Sequence, residues 1–158
     1  MNILVLCTGN SARSILLESE LTAASNGRIT AFSAGSNPSG KVHPQSIVLL
    51  NGLGRDVSKA RSKSWDEFED VDAPIMDAVI TVCGSAAAEE CPYWPGAPVR
   101  THWGVEDPAA AIEDNWQDAF DTAYDILSRR AAALIALPFE TLDAATLKSE
   151  LDRIGTLP

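Results

Sequence analysis

Ile3-Leu4-Val5-Leu6 is apolar at every position and stops at Cys7. A short unbroken apolar run is a buried strand rather than an amphipathic one, so this segment belongs in the middle of a layered core. The next stretch, Thr8-Gly9-Asn10-Ser11-Ala12-Arg13-Ser14, opens directly into a helical pattern with Ile15, Leu16, Leu17 and Leu21 on one face. The alternation then repeats. Residues 29–33, 78–82 and 99–103 read as further strands; residues 44–50, about 112–136 and 141–154 read as helices. Gly27, Gly35, Gly52 and Pro138 punctuate them. Strands separated by helices imply parallel pairing through right-handed crossovers. The expected fold is therefore α/β, a four-stranded parallel sheet flanked by helices on both faces, with residues 1–158 as a single domain.

Such sheets bind ligands beyond the carboxyl ends of their strands. Cys7, Cys83 and Asp107 each closely follow an expected strand, so three distant segments should converge on one edge. The net charge of −10 argues against nucleic acid or an anionic membrane surface as partner. No apolar run approaches the roughly 20 residues of a membrane span, and no basic, cleavable leader precedes the first strand, so a cytoplasmic location is expected. Three cysteines in such a chain suggest chemistry before scaffolding.

A strand ending in C-x5-R-S before a helix can hold a tetrahedral oxyanion against a thiolate. The residues between Cys7 and Arg13 can curl with their N–H groups inward as an anion nest, helped by Gly9 and Asn10, which tolerate left-handed backbone. The helix start adds its positive dipole end, and Arg13 can return as a planar fork onto two anion oxygens. The same donors favour the thiolate, making Cys7 a nucleophile, and Ser14 is placed to hydrogen-bond the sulfur. A structural cysteine before a glycine turn is the plainer alternative. Asp107-Pro108 has two readings: a helix N-cap with Pro at the first position, or a general acid protonating a departing oxygen. Cys83 and Cys91 are either small apolar residues or a thiol–disulfide pair. Eight residues apart on a helix, they would sit about 12 Å apart along its axis. A disulfide needs about 7 Å, so the helix would have to unwind. Neither a C-x-x-C pair nor clustered histidines accompany them, so no metal site is expected, and His43 and His102 are assigned to packing or surface. Core packing accounts for most of the four tryptophans, with Trp94, near Cys91, a candidate for a docking face. The acidic residues 66–72 read as a solvated segment.

Taken together, Cys7 through Ser14, Ser33-Ala34-Gly35, Val79 through Cys83, Cys91-Pro92, and His102-Trp103-Gly104 with Asp107-Pro108 resemble arsenate reductases built on the low-molecular-weight tyrosine phosphatase fold. The closing segment, from Leu137-Pro138-Phe139 to Leu151, is similar to that of proteobacterial-type members. The resemblance implies a relay of three thiols. Cys7 attacks arsenate held by Thr8, Gly9, Asn10, Ser11, Ala12, Arg13 and Ser14, while Asp107 protonates a leaving oxygen. Cys83 then attacks Cys7, releasing arsenite, and Cys91 carries the oxidation outward as a Cys83–Cys91 disulfide. No cofactor is bound; the external reductant is thioredoxin, or glutaredoxin with glutathione. Three departures stand out. Ala12 replaces a further loop cysteine found in many relatives, and the gap between Cys83 and Cys91 is one residue longer than in some. Glu18 and Ser33 match a potassium site of some relatives, yet Lys63 falls where a carboxylate would stand, so its ammonium is expected in place of a cation. The alternative activity is a tyrosine or phosphomonoester phosphatase using Cys7, Arg13 and Asp107 alone. A non-enzymatic thiol sensor would leave the anion loop without a purpose.

Overall fold

The computed structural model describes residues 1–88, 94–96 and 98–158. Strands β1 (Asn2–Cys7), β2 (Thr30–Gly35), β3 (Ala78–Thr81) and β4 (Val99–His102) form one sheet in the order β2-β1-β3-β4, every neighbouring pair parallel. The helices are α1 (Arg13–Ala24), α2 (Pro44–Gly52), α3 (Gly84–Ala88), α4 (Trp116–Ile135) and α5 (Ala144–Gly155). The expected α/β fold, a four-stranded parallel sheet flanked by helices, is borne out.

The period-2 alternation of a strand divides the apolar run of β1 between two cores. Ile3, Val5 and Cys7 join Ala78 and Ile80 of β3 beneath Leu16, Leu17, Leu127, Leu134 and Leu151 of α1, α4 and α5. Leu4 and Leu6 face the other way, with Val79, Ala34, Met76, Phe68 and Trp94. That second layer is a 3₁₀ turn, Trp65–Phe68, and irregular chain rather than long helices. Both faces of β1 are thus dry, which is why none of its residues from Ile3 onward is polar apart from the terminal thiol. Each leucine so buried contributes about 1.5–3 kcal/mol. Trp94 belongs to this core and is 1 % exposed, against Trp65 with Arg100 over its ring. The docking-face expectation for Trp94 is therefore wrong: a large indole fills the sheet face that no long helix covers.

Element boundaries differ where local chemistry intervenes. The long helix starts at Trp116, after two 3₁₀ turns, Pro108–Ala110 and Glu113–Asn115, separated by the extended backbone of Ile112 at φ −68°, ψ 154°. The last helix starts at Ala144, where the Asp143 carboxylate accepts the Thr146 N–H at 2.7 Å; Thr141 closes a separate 3₁₀ turn. Helix α1 ends at Ala24, followed by left-handed Asn26 and Gly27. Among the described residues, no helix is long and apolar enough to cross a membrane.

In this strand order the chain leaves β1 toward β2 on one side, whereas β3 and β4 lie on the other. The carboxyl end of β1 is thus the switch point of the sheet, where a crevice opens. Cys7 occupies it.

Candidate active site

Cys7 ends β1 buried, and the loop after it turns back over the sulfur. The Asn10 N–H donates to Sγ at 3.1 Å, and Ser14 Oγ lies 3.1 Å from the same atom. Asn10 adopts φ +46°, the left-handed region that asparagine tolerates better than most residues. The loop carbonyls are held from outside. Thr8 O accepts the Asn37 N–H at 3.0 Å, Gly9 O the Ser39 N–H at 2.9 Å, and Ser11 O the His43 N–H at 2.9 Å. Ser62 Oγ and Ser46 Oγ add further donors to Gly9 O and Ser11 O, each at 3.0 Å. In a trans peptide the N–H points opposite to the C=O. Outward carbonyls on Thr8, Gly9 and Ser11 therefore turn the N–H groups of Gly9, Asn10 and Ala12 inward, which is the nest the spacing predicts.

Gly35, at the end of β2, makes this curl possible. A Cβ there would come within 2.3 Å of Thr8 O and 3.1 Å of Asn10 N, so only glycine lets β2 pass this close beneath the loop.

The side chain of Asn10, fully buried, is the hub of the site. Its Nδ2 donates to Ser14 Oγ and Ser33 Oγ, both at 2.9 Å, and its Oδ1 accepts the Lys63 N–H at 2.9 Å. Ser14 Oγ, accepting from Asn10, keeps its own proton for the sulfur. Ser33 Oγ in turn donates to Glu18 Oε2 at 2.5 Å. Burial pushes the Glu18 carboxyl above its ordinary range, opposed by the positive charge of Lys63. Burial likewise lowers Lys63, opposed by Glu18. The Lys63 ammonium itself donates to Arg61 O at 3.4 Å. The sequence pointed to Asn10 only for its backbone; its role as a hydrogen-bond hub depends on Lys63, more than fifty positions away.

A cavity of about 460 Å³ above the loop is lined by Cys7, Thr8, Arg13, Cys83, Ser85 and Asp107, among others. Three separate strand ends do converge, as expected. Arg13 crosses the opening: Nη1 donates to Val105 O at 2.9 Å and Nη2 pairs with Asp107 Oδ2 at 3.2 Å. The fork is thus shared between a carbonyl and a carboxylate, leaving three of its five N–H groups. Of its two readings, the structure shows Asp107 as a cap. Oδ1 caps the 3₁₀ turn through the Ala109 N–H at 3.2 Å, while Oδ2 faces Arg13.

Cys83, buried, sits at the start of α3. The Ala86 N–H donates to its Sγ at 3.4 Å, and Thr8 Oγ1 lies 3.5 Å from it. Thr8, next to Cys7 in the chain, thus also reaches Cys83, and the two thiols line one cavity. Both are free cysteines. Cys91 lies outside the described residues. Among those described, no group of His, Cys, Asp and Glu is arranged to hold a metal ion.

His43 does more than pack. Its Nδ1 accepts the Gln45 N–H at 3.1 Å as the N-cap of α2, and its ring lies against Trp116 and Phe120. Burial lowers its pKa, opposed by the charge of Asp107. The His43-Pro44 pair, a cap before a first-turn proline, was the signal available in the sequence. The Val105 carbonyl had none, because a main-chain acceptor carries no side-chain signature.

The low molecular weight phosphotyrosine protein phosphatase family matches residues 2–150. An arsenate reductase from Halalkalibacterium halodurans is 36% identical over 117 residues, which cover 72% of this chain and 81% of that protein. A solved arsenate reductase in the phosphate binding state is 28% identical with a TM-score of 0.68, over 85% of this chain and 96% of that one. The thioredoxin-dependent arsenate reductase of Corynebacterium glutamicum is 25% identical with a TM-score of 0.56, over 80% of this chain and 57% of that one. On the match over nearly its whole length, together with the loop geometry around Cys7, this chain belongs to the low molecular weight phosphotyrosine protein phosphatase family.

Proposed function

We propose that the protein is an arsenate reductase, acting as one domain of residues 1–158 in the cytoplasm and working through Cys7, Cys83 and Cys91. The observation that carries the reading is the second thiol: Cys83 lines the same cavity as Cys7, with the Thr8 hydroxyl beside it. A phosphatase has no need of it. The arsenate reductases among the relatives and structural neighbours support the same substrate.

In this mechanism the inward N–H groups of the loop and Arg13 hold the arsenate oxygens, and the Cys7 thiolate attacks arsenic. The Asn10 N–H and the Ser14 hydroxyl stabilise negative charge on the sulfur. Asp107 protonates the departing oxygen, which leaves as water. The Cys83 thiolate then attacks Cys7 Sγ. A sulfur–sulfur bond forms, the sulfur–arsenic bond breaks, and its electron pair stays on arsenic, so As(V) becomes As(III). Cys91 attacks Cys83 and frees Cys7. Thioredoxin, or glutaredoxin with glutathione, returns two electrons to the Cys83–Cys91 disulfide; the thioredoxin-dependent neighbour favours the first. No bound cofactor takes part.

Mass spectrometry after one arsenate turnover without reductant tests this. The expected product is one arsenite per chain and a Cys83–Cys91 bridge. Cys83→Ser is expected to bind arsenate without releasing arsenite. If that variant keeps turning over with thioredoxin, the relay is wrong. The family match also favours a phosphomonoesterase, for which Cys7, Arg13 and Asp107 suffice. Vigorous p-nitrophenyl phosphate hydrolysis without arsenate reduction would select that reading.

A further inference from the structure

Arg130, on α4, is buried at 6 % exposure outside the cavity lining. Burying a guanidinium is costly unless its N–H groups are met. Here the acceptors are main-chain carbonyls: Nε donates to Leu157 O at 2.9 Å and Nη1 to Gly104 O at 3.2 Å. The next carbonyl along the chain, Val105 O, is the one held by Arg13 Nη1, and the Val105 N–H donates to Val82 O at 3.2 Å. Asp107 follows two residues later, paired with Arg13 Nη2. Two arginines from different helices thus grip consecutive carbonyls of the loop that carries the acid, one from inside the site and one from behind it.

We propose that Arg130 is a positioning residue for the Arg13–Asp107 pair: holding the Gly104 carbonyl, it fixes where Val105 O and the Asp107 carboxylate stand relative to Cys7. An apolar side chain of the same length would fill the space on α4 without desolvating a charge, but it could not hold that carbonyl. Because the Arg130 bond to Leu157 ends the same fork, the carboxyl-terminal turn backs the acid loop through one side chain.

The inference deepens the arsenate-reducing reading and rests on it, so the test uses two substrates. Arsenate reduction and p-nitrophenyl phosphate hydrolysis are measured for the wild type, R130M and R130K, with circular dichroism to confirm folding. Misplacing an acid by a fraction of an ångström is expected to lower kcat about tenfold in R130M with KM changed less than about twofold. R130K, which keeps the charge and one reach, should fall between. R130A is assayed alongside them, and millimolar guanidinium is expected to raise its lowered kcat and to leave that of the wild type unchanged. Wild-type kcat in folded R130M or R130K overturns the proposal, as does a loss carried by KM instead. Should R130M not fold, R130K decides by the same criteria. A wild type inactive on arsenate but active on p-nitrophenyl phosphate sinks the reductase reading alone, and the Arg130 comparison is then read on the ester. Inactivity on both overturns both.

Discussion

Replacing Asn10 by alanine removes three side-chain hydrogen bonds at once, those to Ser14, Ser33 and the Lys63 N–H. At about 1 kcal/mol each the loss is about 3 kcal/mol, and the buried Lys63 N–H left without an acceptor adds to it. Alanine also has to hold φ +46°, which costs about a further 1 kcal/mol. Glycine accepts that backbone freely but brings extra unfolded-state entropy, so Asn10→Gly should be the milder change by less than about 1 kcal/mol. For a chain of 158 residues the resulting Asn10→Ala loss of about 4 kcal/mol lowers Tm by roughly 8–16 °C. Urea unfolding of wild type, N10A and N10G gives the three values directly. Iodoacetamide labelling of Cys7 in the same proteins reads whether Ser14 still faces the sulfur; both variants should label at altered rates. A loss below about 1 kcal/mol in both variants would refute the hub, since it would mean that the serines and Lys63 find other partners at no cost.

Gly35→Ala places a methyl 2.3 Å from Thr8 O, a main-chain atom that cannot swing aside. It should cost about 1–3 kcal/mol and weaken phosphate protection of Cys7 against alkylation; wild-type values in both assays would show that the loop does not rest on β2. His43 has its pKa lowered by burial, so its folded form resists protonation and stability should fall as pH drops below about 6.5. His43→Asn keeps a cap for α2 and should flatten that slope in urea titrations; an unchanged slope would assign it to other groups. The Glu140 carboxyl is held down to about 2 by the Arg28 guanidinium, so its contribution is full above about 4.5 and is lost as pH falls toward 2. Glu140→Gln should remove that acid-side loss, and a variant that still loses stability as steeply as wild type would rule the pair out as its source.

Local pattern carried a good deal of this protein. The apolar run before Cys7, the helical spacing after Arg13 and the turn residues at Gly27 and Gly35 are short-range signals, and the elements they imply are present. The cysteine–arginine spacing likewise encodes the nest, because a loop of that length between a strand and a helix has few ways to curl. Boundaries were less legible around Asp107, where a capping carboxylate, a proline and extended Ile112 break the approach to α4 into two 3₁₀ turns. Trp94 was misplaced because its neighbours in sequence say nothing of the uncovered sheet face it fills.

The order of apolar and polar residues by itself determined a parallel layered fold with a thiol at a strand end, since backbone periodicity and chain sterics act over a few residues. Only the tertiary structure decided what that thiol meets. Strand order brings Cys83 beside it, β2 brings Gly35 and Ser33 beneath it, and the chain around residue 63 delivers one peptide N–H to Asn10. Those partners are main-chain groups and hydroxyls with no spacing rule of their own, and they become a site only when long-range packing closes the loops between them.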